Sequence, residues 1–516
     1  MTDHTRRSVI AGSLALGAVS APALAKPNSS GLLLSTRLGR VQGVSEDGVR
    51  VFKGIRYATA ERFRAPRMVQ PWKGIYDATK FGAAAMQNPA NGAGLLPTTP
   101  MSEDCLFLNI WAPTTPGPHP VMVWLHPSGN VGGSGALEAY NSHAFARDGV
   151  VGVTINWRLG SFGFLELGHV LPEYAGSGNN GLRDAIMALR WVQANIADYG
   201  GDPTRVTLGG GLGGSRNVMA LLASPESEGL FHRAMAISTG AHLCHTPEAA
   251  RTMANLTIDA SGGDPRTLLT MPAADVIKAQ GISWSLFQNA APFRSMVDGK
   301  LLPKLPADMF RTGAGRQIPL LFGTVHDEAP SITPDAAWKK PFPIAAEDLQ
   351  LPDVATINDI DLRYQRVFPN MKPLDRRFRL VNGNHYWISC LRAAEARAAN
   401  KAETYMYRFD RVLTEGKYTG YTISGMDMPY QFETLGRGEV VPTEGAKFTP
   451  ADFALSRTIH TSFVNFIKGG PPSAPGLPAW PTYDLPRRAT MILNHQSKVE
   501  DDPLKEERML WSDFLT

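Results

Sequence analysis

Residues 205–208, Arg-Val-Thr-Leu, form an apolar strand pattern that runs into Gly209-Gly210-Gly211-Leu212-Gly213-Gly214. A helical pattern follows from Ser215. Five glycines in six residues permit backbone angles and a strand-to-helix approach that side chains would block. Two chemistries use such a turn. Gly209, Gly211 and Gly214 satisfy G-x-G-x-x-G, whose amides hold a dinucleotide pyrophosphate. That fingerprint opens a first βαβ unit and needs an acidic residue closing a second strand about 20 residues later. Here the only acids at that distance are Glu226 and Glu228, within the polar turn 224–229. Gly210-x-Leu212-x-Gly214 instead has the frame of G-x-S-x-G, a nucleophile elbow that lifts its middle residue into an active site. The middle residue of this frame is Leu212.

Other reactive residues form no local cluster. The three cysteines, Cys105, Cys244 and Cys390, allow at most one disulfide, and their spacing matches no zinc pattern. No metal and no cofactor are expected. The 516 residues carry 51 Lys and Arg against 47 Asp and Glu. A net charge of +4 without a basic stripe gives no case for nucleic acid. With 43% hydrophobic residues the composition is globular. No apolar run reaches the roughly 18 residues of a membrane span.

The elements that must position a site recur along the chain. Apolar strand patterns lie at 121–126, 150–157, 205–208, 234–238, 319–324 and 404–409. Several are continuous rather than alternating, as in strands covered on both faces. Residues 181–199 place Leu182, Ile186, Leu189, Val192 and Ile196 at helical spacing and stop at Gly200-Gly201, after which Asp202-Pro203 should turn the chain. A second helix is expected over 456–468. Strands alternating with helices predict an α/β fold with a mostly parallel sheet covered on both sides.

Several motifs resemble one family in colinear order. They are Phe52-Lys53-Gly54-Ile55, Glu103-Asp104-Cys105-Leu106-Phe107-Leu108-Asn109, Asn156-Trp157-Arg158-Leu159-Gly160 and Gly178-Asn179-Asn180-Gly181-Leu182-Arg183-Asp184. Gly200-Gly201-Asp202-Pro203, Gly229-Leu230-Phe231-His232-Arg233-Ala234 and the final Ala479-Trp480-Pro481 through Trp511 continue the series. The chain is similar to the type-B carboxylesterases and cholinesterases over nearly all of its length beyond residue 26. The resemblance implies an α/β-hydrolase fold as one domain over 26–516, with large insertions roofing a pocket.

It also implies a Ser-His-Glu triad under an oxyanion hole, and here the chain departs from the pattern. Where the family elbow reads G-E-S-A-G, this chain has Gly210-Gly211-Leu212-Gly213-Gly214. Gly323-Thr324-Val325-His326-Asp327-Glu328-Ala329 resembles G-x-N-x-D-E-G, so Glu328 matches the triad acid. In 421–432 Asp427, Pro429, Tyr430 and Phe432 set the register, and Ser424 falls where the histidine belongs; no histidine lies between His385 and His460. The oxyanion loop H-G-G-G-F becomes His126-Pro127-Ser128-Gly129-Asn130. Ser128 and Gly129 keep N–H groups at the donor positions, and Gly213 fills the third. His126, Asn130 and Met426 are expected at the pocket. The partner of Cys105 is replaced by Ala85, so Cys105 should be a free, buried thiol.

Three functions suit such a chain. Surviving oxyanion donors could polarise a carbonyl while Glu328, its pKa raised in an apolar pocket, serves as base for elimination, cyclisation or isomerisation. A catalytically inactive pocket floored by Leu212 could bind a ligand or a partner. A re-routed hydrolase could use Ser128, Ser215 or Ser424 with His126 or His326. The expected ligand or substrate is a small, largely apolar molecule with a carbonyl. The first 25 residues read as an export signal: Arg6-Arg7, an apolar stretch from Ser8 to Ala21, then Ala23-Leu24-Ala25 as a cleavage site. Thr5-Arg6-Arg7-Ser8-Val9-Ile10 resembles a twin-arginine motif, which predicts a periplasmic or secreted protein.

Overall fold

The six parallel-type strands and their flanks form one twisted sheet in a computed structural model, which describes residues 29–89, 96–437 and 447–515. The export signal over 1–25 lies outside the described residues. The main strands are β1 Ser29–Thr36, β2 Gly39–Glu46, β3 Val49–Arg56, β4 Phe107–Pro113, β5 His119–Leu125 and β6 Val151–Ile155. They continue as β7 Gly201–Gly211, β8 Arg233–Ile237, β9 Leu320–Val325, β10 Thr404–Phe409, β11 Ala489–Leu493 and β12 Lys498–Asp501. Their order across the sheet is β1-β2-β3-β4-β6-β5-β7-β8-β9-β10-β11-β12, with the short strand Ile75–Asp77 beside β2. Pairing is parallel from β6 to β11. It is antiparallel from β1 to β6 and between β11 and β12.

Side-chain alternation explains why the central strands are apolar throughout. Val121, Val123 and Leu125 of β5 face one core, and Met122 and Trp124 face the other. In β8 the split is Ala234 and Ala236 against Met235 and Ile237. Helix α1, Asn180–Asn195, covers the first face with Leu182, Ile186, Leu189 and Val192. Helix α2, Gly213–Ala223, joins it there. Helices α3 Pro373–Asn382 and α4 Ile388–Ala399 flank a π-helical turn, Gly383–Trp387. Helix α5, Pro450–Ile467, closes the second face with Leu455, Ile459, Phe463 and Phe466.

Three boundaries differ from the sequence reading. Asp202-Pro203 does not end an element: β7 runs through it, with a register shift against β5. Asp202 Oδ1 accepts the Thr204 N–H at 2.9 Å, so the bend is absorbed inside the strand. The glycines at 209–211 belong to β7, and the chain turns only at Leu212, with α2 starting at Gly213 rather than Ser215. Helix α5 starts at Pro450, six residues before the expected Ser456, because Thr449 and Asp452 form a reciprocal cap.

Close approach explains two glycines of the turn. A Cβ on Gly210 would stand 2.7 Å from the Gly214 carbonyl carbon, and one on Gly214 would overlap the Leu125 carbonyl. Strand β7, α2 and the end of β5 therefore pack backbone to backbone.

Candidate active site

The turn between β7 and α2 holds Leu212 at φ 48°, ψ −111°. This is a sparsely populated region for a residue with a Cβ and costs on the order of 1–3 kcal/mol. The turn is pinned from both sides. Leu212 N–H donates to the Ile237 carbonyl at 2.8 Å, and the Leu212 carbonyl accepts from Arg216 N–H at 3.1 Å. The Ser215 hydroxyl donates to the same carbonyl at 2.6 Å. The strained conformation lifts a hydrocarbon side chain into a cavity of about 330 Å³. Ser128, Gly129 and Val131 line it on one side, and Arg216, Trp284, Pro292, Gln350, His385 and Tyr386 are among the residues around the rest.

The loop after β5 sits directly against the elbow. Ser128, Gly129 and Asn130 all have positive φ. A Cβ on Gly213 would overlap Gly129 N and stand 2.9 Å from Asn130 N. The backbone nitrogens of Gly129 and Asn130 thus gather at the start of α2. Gly213 is the first residue of that helix, so its N–H has no intrahelical acceptor. The family pattern has alanine at this position, and its methyl group would not fit: loop and elbow are closer here than G-E-S-A-G allows.

Glu328 follows β9 and is fully buried. Its Oε1 accepts the Val325 N–H at 3.2 Å, and its Oε2 has no hydrogen-bond partner among the described residues. Burial pushes its carboxyl up to about 8, and the nearby Asp427 charge adds to the rise. The Ser238 and Ser424 hydroxyls and the Val325 amide act in the opposite direction. Both hydroxyls approach the carboxyl without completing a hydrogen bond of ordinary length and angle. Ser424 is buried, its N–H donating to the Ser331 hydroxyl at 3.3 Å, and its own hydroxyl also neighbours Tyr386. The structure therefore brings Glu328 and Ser424 together, but neither lines the cavity over Leu212. Tyr386, which does line it, neighbours both.

Three residues expected at the pocket point elsewhere. His126 stacks on Trp157 with ring centroids 3.9 Å apart, and its Nδ1–H donates to the Pro127 carbonyl at 2.9 Å. Burial lowers its pKa to about 4, so it is neutral. The Asn130 side chain is a brace: its Nδ2 donates to the Phe293 carbonyl at 3.3 Å and its Oδ1 accepts from Asn217 Nδ2 at 2.9 Å. Met426 packs in the second core with Tyr407 and Phe409. Of the other polar candidates, Ser215 is committed to the Leu212 carbonyl. His326 is paired with Asp327 at 2.9 Å in a separate cleft of about 600 Å³, which shares no lining residue with the cavity over Leu212. Cys105, Cys244 and Cys390 are buried and form no disulfide with one another. Among the described residues no group of three or more His, Cys, Asp or Glu is placed to hold a metal ion, and no helix is long and apolar enough to cross a membrane.

The profile of the carboxylesterase family matches residues 30–511. The chain belongs to the carboxylesterase family. It is 33% identical over 493 residues to the para-nitrobenzyl esterase of Bacillus subtilis, covering 92% of this chain and 97% of that protein. It is 32% identical over 506 residues to the fumonisin B1 esterase of Sphingopyxis macrogoltabida, covering 92% and 89%. Among solved structures it is similar to the Geobacillus stearothermophilus carboxylesterase, with a TM-score of 0.81 at 35% identity, covering 93% of this chain and 99% of that one. The fold is that of the α/β-hydrolases.

In this carboxylesterase-family frame the sequence reading missed Arg216, Arg294 and Tyr386. Arg216 had a local signal, being the only charged residue of α2, one turn past Leu212. Tyr386 had none, because it reaches the cavity from the π-helical turn, where an extra residue re-aims the side chains. Arg294 is fully buried behind the cavity wall. It donates to the Ala291 carbonyl at 2.7 Å, Asn289 Oδ1 at 2.6 Å and the Gln350 carbonyl at 2.7 Å.

Proposed function

We propose that this carboxylesterase-family chain takes a small carbonyl compound into the cavity over Leu212 and moves a proton on it, in an elimination, cyclisation or isomerisation, without forming an acyl-enzyme. The observation that carries the reading is Leu212 itself. It occupies the strained tip of the elbow, beside the gathered amides of Gly129, Asn130 and Gly213, and it has no nucleophilic atom. Amides in that position stabilise negative charge on an oxygen, and an enolate needs such stabilisation as much as a tetrahedral adduct does. The base acts through Tyr386. Its hydroxyl takes the substrate proton while its own proton passes by Ser424 to Glu328 in the fraction of molecules where that carboxyl is ionised, a minor fraction at neutral pH that grows as pH approaches about 8. Burial, with a contribution from the Glu328 charge, pushes the Tyr386 phenol up to about 12, so it serves as a relay and not as a standing phenolate.

Two observations favour other readings. Glu328 and Ser424 stand behind the cavity wall, which suits a ligand-binding protein without turnover. The relatives named above are esterases, which suits ester hydrolysis by another route. One set of assays separates the three. Proton chemistry predicts exchange of the α-hydrogens of phenylacetone into D2O above the buffer rate, lost in Glu328→Gln. It also predicts no release of nitrophenol from short-chain nitrophenyl esters and no covalent labelling by a fluorophosphonate. Absence of exchange leaves the binder. Ester turnover by the unaltered chain returns it to the hydrolases.

A further inference from the structure

We infer that Arg216 makes a carboxylate-binding subsite on the wall of the cavity over Leu212, so that the ligand is a small organic monocarboxylate rather than a neutral ester; this rests on the reading of that cavity as the ligand site. Arg216 is only 6% exposed and lines the cavity. Its Nε and Nη1 have no hydrogen-bond partner among the described residues. It makes no ion pair there either, unlike buried Arg158, Arg377 and Arg411, and it lacks the full set of neutral acceptors that holds buried Arg294 and Arg397. Arg158 has Asp184 at 2.7 Å, Arg377 has Asp348 at 2.8 Å and Arg411 has Asp452 at 2.7 Å. A buried charge without a partner is costly, and proteins rarely keep one.

No neighbouring group supplies the missing negative charge. Arg294, the second guanidinium nearby, is held by neutral oxygens and is itself lowered to about 9, by burial first and by the Arg216 charge second. His385 is lowered to about 3, again by burial with the two guanidiniums adding, and so is neutral. Its ring is held by Gln350 Nε2 at 3.3 Å and the Asp348 carbonyl at 2.7 Å. Glu328, whose carboxyl burial holds protonated at neutral pH, adds no charge. Asp348 is engaged by Arg377, and Glu347 is exposed at the rim. Burial lowers the Arg216 pKa, and its hydrogen-bonding neighbour Tyr386 acts in the opposite direction.

The chemistry of the donors selects the anion. A guanidinium offers a planar fork that matches a carboxylate. With Arg377 already paired, Arg216 is the one lining arginine without an acid, so the site neutralises a single negative charge. Leu212, Val131, Trp284 and Pro292 supply apolar surface for the rest of the molecule.

The test uses the full mature chain and two probes of one shape, phenylacetate and phenylacetamide, titrated calorimetrically near neutral pH at low salt. Phenylacetate should bind at least about tenfold more tightly than the amide. Arg216→Met, which keeps length and removes charge, should abolish that preference while leaving amide binding. Phenylacetate should also raise the melting temperature of the wild type and not of Arg216→Met. Equal affinity of the wild type for acid and amide overturns the carboxylate subsite and leaves the cavity as a ligand site. Failure of both probes to bind overturns the subsite and the cavity reading together. The wild-type comparison decides even if the variant does not fold.

Discussion

Replacing Glu328 by glutamine removes a buried titratable group while keeping its shape and its bond from Val325 N–H. In the folded chain the carboxyl sits at about 8, against 4.5 for an ordinary glutamate. Between those values the native state holds a proton that the unfolded chain has released. Stability from this group is therefore lost as pH rises from the lower value to the higher, and levels off above it. Each unit is worth about 1.4 kcal/mol. From about pH 5 to about pH 9 the wild type should lose about 4 kcal/mol that Glu328→Gln does not lose. The loss falls to about 2–3 kcal/mol if the carboxyl titrates one unit lower. Asp427, raised to about 6 by burial, is present in both proteins and largely cancels. Urea unfolding of both proteins in one buffer series measures the difference directly. If the gap between variant and wild type stays constant within about 0.5 kcal/mol across that range, Glu328 is ionised in the folded state. The burial argument would then be wrong, and with it the neutral-Glu328 step in the case for Arg216.

Three further outcomes follow from the same geometry, and a fourth from the sequence of the first 25 residues. If ionised Glu328 is the final proton acceptor, phenylacetone exchange should rise with pH and level off above about 8; a flat profile removes the relay. Leu212→Ser and Ser424→His should each stay near background on a nitrophenyl ester, whereas the double variant should exceed both, because triad members act as a unit. An inert but folded double variant would show that the triad does not assemble here, because the Pro127–Ser128 loop misplaces its donors or because Tyr386 screens position 424 from the cavity. Gly213→Ala forces a methyl group against Gly129 N and should cost about 1–3 kcal/mol in urea unfolding; a neutral effect would mean that the loop and elbow are not in contact. Replacing Arg6 and Arg7 by lysine should leave uncleaved precursor in the cytosolic fraction, and unchanged export would point to the general secretory route.

What could be read from the residues alone was what depends on neighbours in the chain. The apolar runs of β5 to β10 and the helical spacing of α1 mark elements because burial on two faces and on one stripe leaves different periodicities. The antiparallel strands β1 to β4 were not among the runs singled out; β2, with intermediate residues through most of its length, carries little apolar signal. The elbow was legible because strand, turn and helix lie within one short segment, and its frame names Leu212 without any tertiary knowledge. Family order added Glu328 and Ser424, which the fold brings side by side. Only the tertiary structure decided which way side chains face. His126, Asn130 and Met426 flank the right motifs but turn into packing and braces, since each finds a partner there. Arg216 and Tyr386 come from distant segments and meet at one cavity, with Arg294 buried behind its wall. Sequence spacing carries no information about such a meeting, because it depends on where long insertions between strands come to rest. The same convergence buries Glu328 away from water and sets its charge, which residue type alone does not.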